Sequence, residues 1–298
     1  MSLLNDSPIE SFPSLSDELG VDLLVKRDDL LPFPLAGNKI RKIRAELMSL
    51  PDTPGLVITN GAIGSNHCRT LAFLAARSDF SAHLVLHGEP SSTGNTRALH
   101  MLESLGATWE IVDAQLIAPT IAERRASAAA GGTDVHVING GCHTPAGAVA
   151  YRDAATALLL DVEPDWVILA SGTGATQGGI AAAAQSHAQT RVVGISVARP
   201  ASRGSAPVAE AASWAGAEIE VDFRDSHLDG GYGAHAEITR QAVDTGWRHG
   251  LPLDTTYTGK AMAGLLSMIS TGEIAPGARV LFWHTGGLAN YLLGGDLR

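Results

Sequence analysis

Short apolar runs alternate with amphipathic segments along most of the chain. The short runs predict β-strands, and segments whose apolar side chains recur every three or four positions predict helices. The predicted strands cover residues 21–25, 56–59, 82–86, 108–112, 135–138, 166–170, 192–197, 218–223 and 279–283. The predicted helices cover residues 66–76, 95–105, 117–130, 146–160, 177–188, 207–215, 236–249 and 258–269, and another helical run begins near Lys39.

Strands that alternate with helices in this way are typical of βαβ units, and they favour parallel sheets covered by helices. The alternation continues without an internal repeat or a low-complexity linker, so composition marks no domain boundary. A chain of 298 residues can form one large domain or two medium-sized ones. The residues therefore predict the α/β class and leave the number of domains open.

The composition narrows the range of partners. The chain is 45% hydrophobic and has a net charge of −10 without a basic run, so neither nucleic acid nor an anionic membrane is expected as a partner. Cys68 and Cys142 are the only cysteines, too few for a disulfide framework. The first ten residues do not resemble a signal peptide, and no apolar run is long enough to cross a bilayer. We therefore expect a cytoplasmic protein.

The most distinctive turn is Ser171–Gly179, in which glycines and small hydroxyl residues lie between an apolar strand and an alanine-rich helix. Backbone amides and hydroxyls of Thr173, Gly174, Ala175 and Thr176 could surround a phosphate at the start of that helix. No lysine follows the turn, so a nucleotide-hydrolysing P-loop is disfavoured. The third glycine of a dinucleotide fingerprint is out of register, and a nicotinamide site remains a weaker alternative.

A second polar turn, Ser65-Asn66-His67, follows another predicted strand and opens a helix. Free backbone N–H groups at such a position bind anions, and the carboxylate of an amino acid would suit this one. Ser65 or Asn66 could equally be an ordinary helix N-cap, which is the commoner use of these residue types.

The segment Ala36–Lys42 has a Gly-Asn turn directly before Lys39, where a helical run begins. An isolated lysine at such a place is usually solvated. A lysine combined with several glycine-rich polar turns is what an enzyme with a covalently bound cofactor needs. We therefore interpret Lys39 as the Schiff-base lysine of a pyridoxal-phosphate site.

Other polar residues have less specific patterns. Asp28 and Asp29 are interpreted as a turn and a salt-bridge partner, because no further ligand lies at metal spacing. The loop histidines share no zinc-ligand spacing either, so we expect no metal. Ser65 does not lie in a Gly-x-Ser-x-Gly motif, and hydrolysis would leave Lys39 and the phosphate turn without a role. Tyr232 and Tyr257 lie in loops and are candidates for stacking or proton transfer.

Together, these segments resemble the D-cysteine desulfhydrase and 1-aminocyclopropane-1-carboxylate (ACC) deaminase family, whose members are pyridoxal-phosphate enzymes. The resemblance covers nearly the whole chain and rests on Ala36–Lys42, Gly64–Arg69, Ser171–Gln177, Tyr257–Gly264 and His284–Gly287. It implies the tryptophan synthase β-like fold (fold type II), with two three-layer α/β/α domains built on parallel sheets. It also implies a large domain of residues 1–45 and 150–298, a small inserted domain of residues 46–149, and a homodimer.

The same resemblance implies the roles of individual residues. Lys39 would bind the pyridoxal phosphate and move the Cα proton. The Thr173–Thr176 turn would hold the phosphate, Asn66 would bond the 3′-oxygen, Thr285 would face the pyridine nitrogen and Tyr257 would stack on the ring. The substrate would be held by Ser65 with the neighbouring Asn66 and His67, and Tyr232 would lie near it.

Two positions separate the two activities within the family. The deaminases resemble Tyr-Glu-Gly-Lys and His-Leu-Gly-Gly, whereas this chain has Thr258 and Thr285, as the desulfhydrases do. ACC has no α-hydrogen, so opening its ring benefits from a stronger electron sink, and a glutamate on the pyridine nitrogen strengthens that sink. Threonine is neutral. The expected reaction is therefore α,β-elimination of D-cysteine to pyruvate, ammonia and hydrogen sulfide.

Three alternatives remain at this stage. ACC deamination is one, and elimination from another β-substituted amino acid such as cysteate is a second. The third is a non-catalytic amino-acid or phosphate-binding protein on the same fold, for which Lys39 would have no use.

Overall fold

The structure of the protein, a computed structural model, describes residues 6–31 and 37–293, without the side chain of Leu293. Ala36 of the predicted lysine motif lies outside the described residues. The strands are β1 Ile9–Ser11, β2 Asp22–Arg27, β3 Gly55–Ala62, β4 Phe80–His87, β5 Thr108–Ile111, β6 Val135–Ile138, β7 Trp166–Ser171, β8 Arg191–Ser196, β9 Asp222–Arg224 and β10 Arg279–His284. The helices are α1 Pro13–Leu19, α2 Lys39–Ser49, α3 Asn66–Ala75, α4 Thr93–Ser104, α5 Ile117–Ala130, α6 Pro145–Val162, α7 Ala175–Ala184, α8 Ala201–Trp214, α9 Glu237–Arg248, α10 Thr258–Ser270 and α11 Leu288–Leu293.

The strands form two sheets. One has six strands in the order β1-β2-β10-β7-β8-β9, and the other has four in the order β5-β4-β3-β6. All neighbouring strands are parallel except β1, which pairs antiparallel with β2 at an edge. The α/β prediction with parallel sheets is confirmed, and the antiparallel edge strand is an addition to it.

The chain divides into two compact units. The first contains the described residues up to Lys42 together with His143–Leu288, and the second contains Ile43–Cys142 with the described residues from Ala289 onward. The six-stranded sheet belongs to the first unit and the four-stranded sheet to the second.

The central strands of the six-stranded sheet are buried on both faces, which is why they read as continuous apolar runs. Every residue of β7, Trp166–Ser171, is buried. Strand β2 extends two residues beyond the predicted end and includes Lys26 and Arg27, both buried. Charged residues can end such a strand when they are paired. Arg27 forms a bidentate ion pair with Asp29 and a second ion pair with Glu10.

The predicted helix 207–215 was wrong at its start. Proline favours the first turn of a helix, but α8 begins at Ala201, directly after Pro200, and Pro207 lies inside it. A glycine at position 174 makes room for this helix, because a Cβ there would lie 2.9 Å from the carbonyl carbon of Pro207. The helix boundary therefore depends on a contact that is distant in sequence.

The predicted strand 218–223 was also wrong, because only Asp222–Arg224 pairs with β8. Gln185, directly after α7, donates its Nε2 to the carbonyl of Glu218 at 2.9 Å, so this carbonyl bonds a side chain instead of a neighbouring strand. Gln177 of α7 donates to the carbonyl of Asp222, inside β9, at 2.8 Å. The short segments β1 and α1 near the start of the chain were not predicted at all.

Candidate active site

The lysine turn connects to the loop that follows β10. Gly37 has a φ of 57°, and a Cβ at this position would lie 2.1 Å from the carbonyl oxygen of Thr285, so only glycine fits. The next residue, Asn38, donates its backbone N–H to that same oxygen at 2.9 Å. Helix α2 then begins at Lys39, whose Nζ lies 3.0 Å from Oδ1 of Asn38. The lysine is therefore fixed at a helix N-terminus, against the β10 loop.

Asn38 uses all its polar groups to join three segments. Besides the two contacts above, its carbonyl oxygen lies 3.3 Å from the hydroxyl oxygen of Tyr151, which donates its proton to Asp28. Its Nδ2 donates to the Oγ1 of Thr176 at 3.1 Å. A buried asparagine with every group satisfied has a defined side-chain orientation. Asn38 therefore fixes Lys39 relative to the glycine-rich turn.

The glycine-rich turn presents unsatisfied donors. Gly174 has a φ of 99°, and α7 begins directly after it without a side-chain cap. The first N–H groups of a helix have no partner within it. Those of Ala175, Thr176 and Gln177 donate to no backbone carbonyl in the described residues. The positive end of the helix thus faces the turn with several free donors.

The hydroxyls beside these amides point to the same chemistry. The Oγ of Ser171 is buried and has no hydrogen-bond partner within residues 6–31 and 37–293. Thr176 accepts from Asn38, which leaves its own hydroxyl proton available to donate. Buried donors without partners are costly unless a ligand satisfies them. A phosphate group fits this arrangement, so the residues present suit pyridoxal phosphate.

The two candidate tyrosines lie together. The hydroxyls of Tyr232 and Tyr257 are within hydrogen-bond distance of each other, and their rings meet edge to face with centroids 5.9 Å apart. Tyr257 immediately precedes α10, and Tyr232 lies 54% exposed in the loop before α9.

Asp254 organises the segment that holds Tyr257. Its two carboxylate oxygens accept hydrogen bonds from the backbone N–H groups of Thr256, Tyr257 and Thr258 and from the Thr258 hydroxyl. The Thr258 hydroxyl also accepts from the N–H of Asp254 at 3.0 Å. Burial raises the pKa of Asp254, although these hydrogen bonds oppose the shift. The hydroxyl of Thr258 is therefore fully engaged with Asp254.

The Thr285 side chain differs from that of Thr258 in its hydrogen bonding. It is buried in the loop after β10, and its hydroxyl makes no hydrogen bond within the described part of the chain. Its carbonyl holds the lysine turn through Asn38. Two residues later, a Cβ at Gly287 would lie 2.4 Å from Asp254, so this loop also packs on the Tyr257 segment. One loop thus contacts both the lysine and the tyrosine segments.

The turn Ser65-Asn66-His67 lies in the second unit. Ser65 is the N-cap of α3, and its Oγ accepts from the N–H of Cys68 at 3.4 Å. Oδ1 of Asn66 accepts from the guanidinium of Arg69. The His67 ring is buried, with Nε2 lying 2.7 Å from the hydroxyl of Thr59. Ser65 is thus a capping residue, and the substrate-binding roles of these three residues stay predictions.

Four buried residues of the first unit escaped the sequence analysis as site candidates. Asn38, next to the lysine, could have been found from the motif alone. Asp254 and Lys260 flank Tyr257: Asp254 bonds its own segment, whereas Lys260 bonds a distant loop that the sequence does not reveal. Tyr151 lies on the long helix α6, where it reads as an ordinary apolar position.

The interpretation of Asp28 and Asp29 as turn and salt-bridge residues is confirmed. Both lie in a short 3-10 helix, and Asp29 pairs with Arg27. Oδ2 of Asp28 accepts from the hydroxyl of Tyr151 at 2.7 Å and from the indole of Trp283 at 2.8 Å. No group of three or more metal-ligating side chains is found in the described part of the chain.

Several known proteins are similar to this chain over nearly its whole length. The sequence profile of the family described as pyridoxal-phosphate dependent enzymes matches residues 2–286. A Pyrococcus horikoshii protein, provisionally named a 1-aminocyclopropane-1-carboxylate deaminase, is 33% identical over 98% of this chain and 92% of its own length. The D-cysteine desulfhydrase of Klebsiella pneumoniae is 31% identical over 94% of this chain and 91% of its own length.

A solved structure agrees. The crystal structure described as that of an ACC deaminase homologue superposes with a TM-score of 0.84 at 31% identity, and the match covers 97% of this chain and 91% of that one. The chain therefore belongs to the pyridoxal-phosphate dependent enzymes. Within them it is a lyase of the ACC deaminase and D-cysteine desulfhydrase family, which confirms the resemblance, the fold type and the cofactor.

Proposed function

We propose that this enzyme α,β-eliminates D-cysteine to pyruvate, ammonia and hydrogen sulfide. The observation that supports this choice is the neutral hydroxyl of Thr285, in the loop that also holds the lysine turn. A desulfhydrase relative at 31% identity is consistent with it. The relative named after ACC deamination, at 33%, gives that reaction equal support from similarity alone, so the choice rests on the site chemistry.

Different segments of the described chain would have different roles in the reaction. When bound, pyridoxal phosphate withdraws electrons from the α-carbon of the amino acid joined to it. The donors of the Thr173–Thr176 turn would bind its phosphate at the start of α7. The Nζ of Lys39 would form the covalent link and then take the α-proton. In the second unit, the N-terminal turn of α3 at Ser65 would bind a carboxylate.

The electrostatics of the pyridine end argue for elimination. A carboxylate on the ring nitrogen would stabilise its protonated form, but the Thr258 hydroxyl is neutral and committed to Asp254. Asp254 itself has both oxygens occupied by hydrogen bonds from its own segment. The remaining candidate is the Thr285 hydroxyl, which is also neutral. A weaker electron sink suffices for D-cysteine, which has a removable α-proton and a good leaving group.

A substrate panel tests the proposal. The purified holoenzyme is given D-cysteine, L-cysteine, cysteate and ACC in parallel, and sulfide, pyruvate and 2-oxobutyrate are measured. We expect the highest kcat/KM for D-cysteine and little 2-oxobutyrate from ACC, because that ratio reports differential transition-state stabilisation. Equal rates on ACC and D-cysteine would contradict the electron-sink argument, even with the family assignment intact.

A further inference from the structure

The side chain of Lys260 is fully buried and is not used by the mechanism above. It lies in the first turn of α10, three positions after Tyr257. Its Nζ donates to the carbonyl oxygens of Leu228 at 2.8 Å and Gly231 at 2.9 Å, and lies 3.5 Å from that of Val197. A lysine ammonium has three protons to donate. Two of its partners belong to the loop between β9 and α9, which also contains Tyr232.

Nothing else in the surroundings accounts for a buried ammonium. No carboxylate oxygen lies within salt-bridge distance of Lys260 in the described residues. The nearest acidic groups, Asp229 and Asp254, favour its charged form only from a distance, and burial lowers its pKa. Burying a charge is costly unless hydrogen bonds compensate. The two shorter of the compensating bonds go to backbone carbonyls of one loop, so the charge and the loop conformation depend on each other.

The loop needs such an anchor because of its backbone. Asp229, Gly230, Gly231 and Gly233 all have positive φ angles, from 55° to 121°. Glycine-rich segments lose much conformational entropy when they are ordered. A Cβ at Gly231 or Gly233 would meet no atom within 4 Å, so little side-chain packing is available to hold the loop. Side-chain bonds hold the loop at Asp225, through the N–H of Ala201, and at Asp229, through the hydroxyl of Thr239. Lys260 binds the glycine-rich stretch directly before Tyr232 through two backbone carbonyls.

We propose that Lys260 is a positioning residue that sets the Tyr232 loop, so that the Tyr232 hydroxyl reaches that of Tyr257. One residue thereby ties both tyrosines to a single helix start: Tyr257 by its place in the chain and Tyr232 through the Leu228 and Gly231 carbonyls. Lys260 does not touch the substrate itself. Its role as a determinant of substrate fit rests on the proposed function and on the family resemblance, which implies that Tyr232 lies near the substrate.

The first test does not depend on turnover. Chymotrypsin cleaves after exposed aromatic residues in mobile segments, and Tyr232 is exposed. In the holoenzyme, Lys260→Met should speed cleavage after Tyr232 about tenfold or more, the scale for losing hydrogen bonds to a charged group. Lys26→Met is the matched control, because Lys26 is also buried and donates to a backbone carbonyl, that of Ser7, at 2.6 Å. Cleavage after Tyr232 should be unchanged in the control.

The second test separates positioning from general destabilisation. In the proposed substrate assay, Lys260→Met should raise KM about tenfold and change kcat less, with the visible cofactor band retained. Because Lys260 acts through Tyr232, the same substitution should cost little in a Tyr232→Phe background, which is the signature of coupled residues in a double-mutant cycle. Lys260→Gln, which keeps two of the donors, should be intermediate in both assays.

The outcomes distinguish a failure of the positioning role from a failure of the proposed function. Wild-type cleavage after Tyr232 in Lys260→Met, or equal acceleration in Lys26→Met, would overturn the positioning role whatever the substrate is. Additive costs of the Lys260 and Tyr232 substitutions would overturn it as well. If Lys260→Met does not fold, the Lys260→Gln result decides in the same way. An inactive wild-type enzyme with accelerated cleavage in Lys260→Met would instead contradict the proposed function and leave the loop anchor standing.

Discussion

At the scale of single residues, the Thr258 and Thr285 hydroxyls are the chemical difference on which the choice of reaction depends. We expect the double substitution Thr258→Glu with Thr285→Leu to shift the kcat/KM ratio towards ACC. The added carboxylate could stabilise a protonated ring nitrogen, and a competing hydroxyl is removed. The measurement is kcat/KM for D-cysteine and ACC in both proteins.

The control for this substitution is Thr258→Gln with Thr285→Leu, which has the same size at position 258 but no charge. A gain on ACC in the glutamate variant alone supports an electrostatic cause. The same gain in the glutamine variant would attribute the shift to shape. Both variants lose the Thr258 bonds to Asp254, so we expect a similar fall in thermal stability from each.

The sequence was informative about residues whose chemistry is local. Lys39 follows a Gly-Asn turn, Thr173 lies between β7 and α7, and Thr176 lies in the first turn of α7, so the site roles predicted for them depend only on their neighbours. Those roles stay predictions. The bonds of Asn38 to Thr285, Tyr151 and Thr176 could not be identified in this way. They join residues more than one hundred positions apart, and only the folded chain brings them together.

At the scale of elements, the start of α7 is the segment to which we assign the cofactor phosphate. Thr176→Ala removes a hydroxyl that accepts from Asn38 and that we assign to the phosphate. We expect cofactor affinity to fall by about 1–3 kcal/mol, the cost of losing a hydrogen bond to a charged group. Equilibrium dialysis of pyridoxal phosphate measures it. Thr176→Ser keeps the hydroxyl and should bind normally, and unchanged affinity in the alanine variant would refute the assignment.

The short 3-10 helix at Asp28 is the element for which we predict an effect on stability. Asp28 is fully buried and bonds Tyr151, Trp283 and Arg41. Burial opposes the charge of Arg41, but its interactions with Asp28, Tyr151 and Asp6 together hold its pKa above the ordinary value. Asp28→Ala leaves that arginine without its buried partner, so we expect a loss of about 3–5 kcal/mol in the free energy of unfolding.

The control for Asp28 is Tyr151→Phe, which removes one hydrogen bond and keeps the ring. Its expected cost is about 1–2 kcal/mol, and urea denaturation measures both variants. A smaller loss in Asp28→Ala than in Tyr151→Phe would show that the network does not depend on the carboxylate.

The bounds of some strands and helices were not predicted correctly from the sequence pattern. The fully buried strand β7 was predicted to within one residue, because burial on both faces gives an unambiguous apolar run. The strand near residue 220 was predicted to begin too early, at Glu218, whose carbonyl bonds the side chain of Gln185 instead of a neighbouring strand. The helix at Pro207 was predicted too short, because proline is more often a starting residue than an interior one.

At the scale of the whole molecule, the ionisable groups predict how stability depends on pH. Burial lowers the pKa of His143 and His227 below the ordinary value of 6.5. Below pH 6.5 the unfolded chain then binds more protons than the folded one, so stability falls as the pH drops through that value. Hydrogen bonds from Arg124 and Arg224 lower the pKa of Glu110 and Glu273, which adds a second loss below about pH 4.5.

Urea denaturation between pH 7.5 and 3.5 checks this expectation. The variant His143→Gln with His227→Gln should lose the first decline and keep the second. A free energy of unfolding that stays constant from pH 7 to 5.5 in the unaltered protein would contradict the assigned burial of the two histidines.

The sequence also predicted properties that belong to the intact protein. No helix within residues 6–31 and 37–293 has the length and apolarity needed to span a membrane. The homodimer and the cytoplasmic location stay predictions, as do the domain limits at residues 46 and 149. Sedimentation of the purified holoenzyme measures the first of these directly.

The central claim is that Lys39 is the lysine that binds pyridoxal phosphate. The most direct measurement is borohydride reduction of the holoenzyme, followed by digestion and mass spectrometry of the labelled peptide. We predict a single phosphopyridoxyl label on Lys39, and we predict that Lys39→Ala loses both the visible absorption band and turnover, by several orders of magnitude in rate. A label on Lys42 or Lys260, or a retained visible band in Lys39→Ala, would contradict the account.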